Sequence, residues 1–269
     1  MDAIRLARAF TGRDGVMKIF GSYHGHHDYV MVDIGLNVYE MGDRENYPSI
    51  PYGKGIPDAV TQMTVAVPFN DAPALERRLE RLKSEGRLPA CLIMEAALMN
   101  CGVILPEPGY LAEVRRITSR FGVVWIVDEV KTGLTVAAGG ATELFGIRPD
   151  MVCLAKALGA GLPTGAIGAT DEMWVPVTNG DVYMVGTFNG NPLVMAAARA
   201  NLERVLTPDA YAHLGRLNSR LLDGAQGIID RYRLAAYPVG IESKGVITFA
   251  ASKVVDFETY KTAQQKELI

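Results

Sequence analysis

The feature that most constrains this 269-residue sequence is a series of short apolar segments separated by windows with helical periodicity. ACLIMEA (90–96) and VVWIVDEV (123–130) carry apolar residues at successive rather than alternate positions, so both faces of each strand must be covered. Such strands belong in a parallel sheet with helices packed above and below. VMKIF (16–20), MTVAVPF (63–69), MVCLA (151–155) and GAIGAT (165–170) read as further strands. The windows 71–84, 109–121 and 192–206 place apolar or small residues at helical spacing with charges between them. The fold class predicted is therefore α/β, a mostly parallel sheet with helices on both faces.

After residue 206 the pattern changes. A long helix is predicted over 208–232, followed by a strand in KGVITFA (244–250) and a helical tail. We expect a large domain over 1–206 and, over 207–269, a bridging helix with the start of an incomplete α+β small domain.

Composition excludes several function classes. A formal charge of -3, with no block of Lys and Arg, gives no attraction to a phosphate backbone, so nucleic acid is not an expected partner. No apolar run reaches the ~20 residues of a membrane helix, and MDAIRLARAF lacks the order of a secretion signal, so a cytoplasmic location is expected. Cys91, Cys101 and Cys153 sit in apolar surroundings, as reduced core thiols do.

Ligands of open α/β sheets bind beyond the carboxyl ends of the strands, which directs attention to the polar residues there. Asp128 follows five apolar residues, so its carboxylate needs a cationic or hydrogen-bonding partner. Lys156 ends the next strand, ahead of a glycine-rich turn. Singly, the acid reads as a turn cap and the lysine as a solvated strand end. Together, on neighbouring strands, they offer an amine able to attack an aldehyde from a partly dry pocket and an acid able to hold a protonated heterocyclic nitrogen. Pyridoxal phosphate requires that division of labour.

The motifs AIRLARAFTGR, GSYHGHHD, LIMEAALMNCGVILPEPGYL, VDEVKTG, GIRPDMVCLAKALGAGLPTGAIGA and GTFNGNPLVMAAA extend this reading. In that order and spacing the sequence resembles the class III aminotransferases of the fold-type I pyridoxal phosphate enzymes, in particular their glutamate-1-semialdehyde aminomutase branch. The resemblance implies that Lys156 is the Schiff-base lysine and Asp128 the partner of the pyridinium nitrogen. It implies that Tyr23 stacks on the cofactor ring, with His24 beside it, and that Val130 packs on the opposite face. Glu95 and Asn100 match the acid and amide of the family's E-P-x-x-x-N segment on the substrate side, with Ala96 where proline is usual. Gly186 and Thr187 resemble the pair that reaches a neighbouring subunit's phosphate, which implies a homodimer with active sites at the interface. Lys131 stands where relatives often carry a neutral residue facing the ring hydroxyl; it either stabilises that oxygen or turns to solvent. The implied substrates are a small amino donor and a keto or aldehyde acceptor.

The resemblance is to an internal portion of that family. Its members carry further sequence ahead of AIRLAR, ending in a phosphate-binding turn, and continue past the small domain's start. The expectation is a truncated product, a wrongly started reading frame or part of a split protein. Three alternatives stand beside the main reading. One is a β-amino acid aminotransferase of the same family, and another an inert dimer-forming fragment. The third is a metal hydrolase using His24, His26 and Asp28, since H-x-H-x-D resembles the zinc segment of metallo-β-lactamase-fold enzymes. Against it, Tyr29 replaces the histidine that should follow and only His213 remains elsewhere, so no metal is expected. GAGLPTG lacks the lysine and spacing of a nucleotide-binding loop.

Overall fold

The computed structural model describes residues 1–34 and 40–263. In chain order its main elements are α1 (Asp2–Thr11), β1 (Val16–Ile19), α2 (Asp58–Thr61), β2 (Thr64–Val67), α3 (Ala72–Ser84), β3 (Cys91–Met94), α4 (Tyr110–Phe121), β4 (Val124–Asp128), α5 (Gly140–Leu144), β5 (Met151–Leu154), β6 (Ala166–Ala169), α6 (Asp171–Thr178), α7 (Pro192–Ala200), α8 (Pro208–Tyr232), β7 (Tyr237–Ile241), β8 (Lys244–Thr248) and α9 (Phe257–Ala263). The first six strands form one sheet in the order β2-β1-β3-β4-β5-β6. All neighbours are parallel except β5 and β6. The link from β5 to β6 holds only a 3-10 turn, Lys156–Gly159, and no crossover helix of the kind a parallel return requires.

Period-two alternation within the apolar strands sorts their side chains to two cores. Leu92, Met94, Trp125 and Val127 pack with Leu75 and Leu79 of α3 and Val114 and Ile117 of α4. Cys91, Ile93, Val124 and Ile126 face the other way, against Ile4 and Leu6 of α1 and Met173 of α6. Helices therefore cover both faces, as the continuous apolar runs require.

The chain passes from β1 to edge strand β2 and then crosses to begin β3 on the far side of β1, so strand order reverses between β1 and β3. Such a reversal opens a crevice at the carboxyl ends of those two strands. Asn218 of α8 donates to the carbonyls of Glu242 (2.8 Å) and Lys244 (3.1 Å), fixing the β7-β8 hairpin on the helix. Ser243 Oγ donates to Thr135 O (2.8 Å) and Tyr211 OH to Leu134 O (3.2 Å), seating that segment on the loop after β4.

One glycine at the crevice is held by its surroundings. Gly21, just past β1, has φ 78, and a Cβ there would lie 2.2 Å from the ring of Phe257. Gly21→Ala is expected to cost about 2–4 kcal/mol, combining the left-handed backbone with overpacking. Urea unfolding checks this, and a loss under about 0.5 kcal/mol, the range of neutral surface changes, would contradict it.

Candidate active site

Four neighbouring strands deliver polar side chains to one sheet edge. Tyr23 and His24 follow β1, Glu95 follows β3, Asp128 ends β4 and Lys156 lies just beyond β5. Asp128 pairs in register with Cys153, so Lys156 leaves the sheet close to it.

Asp128 is buried, with a relative exposure of 7%. Its Oδ2 accepts from His24 Nδ1 at 2.7 Å and its Oδ1 from the Val130 N–H at 2.9 Å. Burial alone pushes the carboxyl upward. The His24 hydrogen bond and charge, the Val130 N–H and the charge of Lys156 together outweigh it and hold Asp128 below its ordinary 3.8. The His24 ring is fully enclosed, and its other nitrogen meets Ser22 Oγ at 2.9 Å. Burial outweighs the attraction of Asp128 and lowers the imidazole below its ordinary 6.5, while the ionised carboxylate it faces requires the hydrogen of their bond to sit on Nδ1.

Glu95 has the opposite bias. It is 2% exposed, its Oε2 accepts from the Met99 N–H at 3.2 Å, and its Oε1 has no partner. Burial first, and the charge of Asp128 second, push it up to about 8, so most of it carries a proton at neutral pH. Lys131 donates to Met99 O (3.0 Å) and to Asn100 Oδ1. It thus clamps the loop carrying Glu95 and Asn100.

A pH prediction follows for Glu95. Between its ordinary 4.5 and about 8 the folded chain keeps a proton that the unfolded chain releases. Its contribution to stability is therefore intact below the lower value, falls as pH rises through the window and is lost above about 8. Glu95→Gln is expected to flatten this decline and to exceed the parent at alkaline pH by on the order of a few kcal/mol. Parallel profiles of unfolding free energy against pH for the two proteins would contradict it.

Lys156 is exposed rather than in the partly dry pocket expected, and makes no side-chain hydrogen bond or ion pair among the described residues. Its backbone has φ 45, a left-handed conformation that side chains other than glycine seldom adopt. Its charge reaches Asp128, Glu95, Lys131 and Lys244. Tyr23 is 37% exposed and presents a free ring next to His24. Gly186 and Thr187 lie in an exposed segment with Tyr183, Val185 and Phe188.

The metal-hydrolase alternative fails on orientation. Both His24 nitrogens are engaged inward by Ser22 and Asp128, while His26 and Asp28 are exposed. Among the described residues no group of three His, Cys, Asp or Glu is placed to hold a metal. Sequence reasoning missed three participants: Ser22, Lys18 and Lys244. A lysine inside the apolar strand VMKIF was the available signal for one of them, because a fully buried lysine has to be partnered.

The family model for Aminotransferase class-III matches residues 1–254. The chain is 39% identical over 267 residues to glutamate-1-semialdehyde 2,1-aminomutase 2 of Geobacillus kaustophilus, covering 98% of this chain and 59% of that protein. It is 41% identical over 264 residues to the glutamate-1-semialdehyde 2,1-aminomutase of Syntrophus aciditrophicus, covering 96% and 58%. It thus spans somewhat under three fifths of the length of these two relatives. Among solved structures it resembles an omega-transaminase from Sphaerobacter thermophilus with a TM-score of 0.88 at 30% identity, covering 96% of this chain and 58% of that one. A structure described as a transaminase with PLP bound matches with a TM-score of 0.79 at 27% identity, covering 91% and 56%. With that match along nearly all of its length, on a sheet of the same architecture, the chain belongs to the class-III aminotransferase family.

Proposed function

We propose that this chain forms the pyridoxal phosphate-binding part of an enzyme that transfers an amino group, either an aminotransferase or a glutamate-1-semialdehyde aminomutase-like enzyme. The observation that carries the reading is the convergence of Asp128, His24, Glu95 and Lys156 at one sheet edge beside the strand-order reversal.

The donor set fits that cofactor. A buried carboxylate held ionised suits a protonated ring nitrogen, an unpaired primary amine suits an aldehyde, and an exposed tyrosine face suits a flat heterocycle. When bound, the cofactor supplies an aldehyde that accepts amines and a ring that withdraws electrons from the reacting carbon.

The remaining roles fall to the chain's own residues. Asp128 would hold the protonated ring nitrogen as its counter-ion, and Tyr23 and Val130 would flank the ring and exclude water from it. Lys156 Nζ would be the amine that holds the cofactor's aldehyde and, when free, the group at this edge able to accept and return a proton. Protonated Glu95, with its free Oε1, offers a neutral hydrogen-bond donor on the substrate side, where Asn100 is held by Lys131. Transamination and aminomutation both use these roles.

The reading includes a homodimer in which Gly186 and Thr187 donate to the neighbouring subunit's phosphate. Supporting it, their segment exposes Tyr183 (78%), Phe188 (79%) and Leu193 (71%), an apolar surface of the kind that marks interaction sites. It also divides the chain near residue 206, between the six-stranded sheet and the hairpin that α8 carries. Free thiols at Cys91, Cys101 and Cys153 suit a reducing cytoplasm, and among the described residues no helix is long and apolar enough to cross a membrane. The test is an absorbance spectrum of the protein with pyridoxal phosphate before and after amino donors are added. The reading expects a protein-dependent band that donors bleach; a spectrum identical to free cofactor would overturn it.

A further inference from the structure

Three lysines meet at this edge, and the roles above leave one of them unused. Lys244 opens β8, where Lys244, Val246 and Thr248 share a half-buried face while Gly245 and Ile247 point outward. Val246 shows what that face meets. It packs against the core that holds Leu92 and Trp125, and its Cγ1 lies 3.9 Å from where a Cβ on Gly102 would sit, in the loop that carries Glu95 and Asn100. The turn ahead of β8 is pinned to the same place. Ser243 Oγ donates to Thr135 O at 2.8 Å and Thr135 Oγ1 donates to Lys131 O at 3.0 Å, so Thr135 ties the backbone beside Lys244 to that of Lys131.

A lysine ammonium carries three N–H donors. Lys131 gives two of them to Met99 O and Asn100 Oδ1, and Lys156 is the amine assigned to the aldehyde. Lys244 Nζ makes no hydrogen bond or ion pair among the described residues, so its donors are unspent. Burial first, then the charges of Lys131 and Lys156, lower it from its ordinary 10.5, and Lys156 also weighs against Lys131. The acids of the edge do not balance these amines. Asp128 is ionised but engaged by His24 and Val130, and Glu95 is mostly protonated at neutral pH. Three cations against one carboxylate leave a positive edge, and an anion arriving there relieves the repulsion among the amines.

We infer that Lys244 is an anion-binding residue of this site, whose unspent N–H donors hold an oxyanion of a small molecule seated between β8 and the loop after β3. A carboxylate on the amino donor and a phosphate on the cofactor share that chemistry. Position favours the carboxylate, because Lys244 lies on the β8 face that meets the loop of Glu95 and Asn100, the substrate side in the proposed function. Lys244 then selects amino donors that carry a carboxylate over plain amines. The assignment to a donor rests on the proposed function; the anion site rests on the lysines alone.

Lysine side-chain NMR on the protein without cofactor, at low ionic strength where screening is weakest, reads the anion site directly. Titration with glutarate, a dicarboxylate that cannot condense with an amine, is expected to shift the Lys244 signals saturably and to leave exposed lysines elsewhere, such as Lys54 and Lys83, unmoved. Lys244→Gln is expected to weaken glutarate binding by about tenfold, the lower end for a hydrogen bond to a charged group. Lys244→Arg, which keeps charge and donors, is expected to restore it. A parent whose Lys244 does not respond to glutarate overturns the inference, and that result needs no variant to fold. So does an unchanged affinity in Lys244→Gln, or an arginine variant no better than glutamine. A loss of affinity for pyridoxal phosphate in Lys244→Gln with glutarate binding intact gives the lysine to the phosphate and overturns the carboxylate. Bleaching of the cofactor band by 4-aminobutyrate and by butylamine, which lacks the carboxylate, separates the two layers. Lys244→Gln is expected to raise the half-bleaching concentration of the first by about tenfold and to leave the second unmoved; equal shifts, or none, overturn the role in donor choice. If no band forms, the proposed function falls and the glutarate titration still decides Lys244.

Discussion

In a complete enzyme of the proposed function that contains this chain, replacing Lys156 by alanine is expected to lower turnover by ~10³-fold or more, the scale on which removal of a covalent catalytic group acts. It should leave the fold intact. The side chain is exposed and makes no hydrogen bond or ion pair among the described residues, so unfolding free energy should move by no more than about 0.5 kcal/mol. That separation gives the prediction its force. A structural lysine would lose stability and activity together, and a solvated one would lose neither. Cofactor should still bind through its other contacts, but without a bond that borohydride can trap. Turnover within tenfold of the parent would remove Lys156 from its role.

Asp128→Ala is expected to damage both properties. It strips the Nδ1–H of His24 and the N–H of Val130 of their acceptor inside a closed site, at a cost of about 2–4 kcal/mol. It also removes the charge assigned to the ring nitrogen, so turnover should fall by ~10²-fold or more. Asp128→Asn separates the effects, because the amide keeps the shape and one acceptor while losing the charge: stability should partly recover and turnover should not. The pH dependence fixes the sign. A carboxyl held below 3.8 contributes stability that is present above that value and is lost as pH falls through its lower folded value. The gap between parent and Asp128→Asn should therefore close in acid. A gap that widens there would contradict the ionised, hydrogen-bonded carboxylate.

The parts of the fold legible in sequence were those where one physical requirement dominates. ACLIMEA and VVWIVDEV could satisfy their apolar faces only between two helical layers, and their alternate residues enter two separate cores. Helix α8 matched its predicted span of 208–232, helped by Thr207, whose side chain accepts from the Ala210 N–H, and by Pro208 in the first turn. Asn191 likewise caps α7, with Pro192 following. Strand β7 was not foreseen because Pro238 and Gly240 interrupt YPVGI; as one member of a two-stranded hairpin it tolerates both. The tail beyond residue 263 lies outside the described residues.

At the site, sequence placed the residues on strand ends but not their partners. Asp128 and His24 are 104 positions apart and meet only because β1, β3 and β4 are adjacent in the sheet. Lys131 could be assigned to the ring or to solvent because its actual acceptors, Met99 O and Asn100 Oδ1, lie on another loop. The lysine of VMKIF has a role that sequence does not display, because it depends on two carbonyls, of Ser22 and Val32, that the following turn brings back to it.

The account turns on where an aldehyde-bearing cofactor becomes attached. Incubating the protein with pyridoxal phosphate, reducing with borohydride and mapping the pyridoxyl mass by peptide mass spectrometry reads that attachment to the residue. The account predicts the added mass on the peptide containing Lys156, with Lys131 and Lys244 of the same edge unmodified. Modification on Lys131 or Lys244 with Lys156 untouched, or spread evenly over surface lysines, would contradict it.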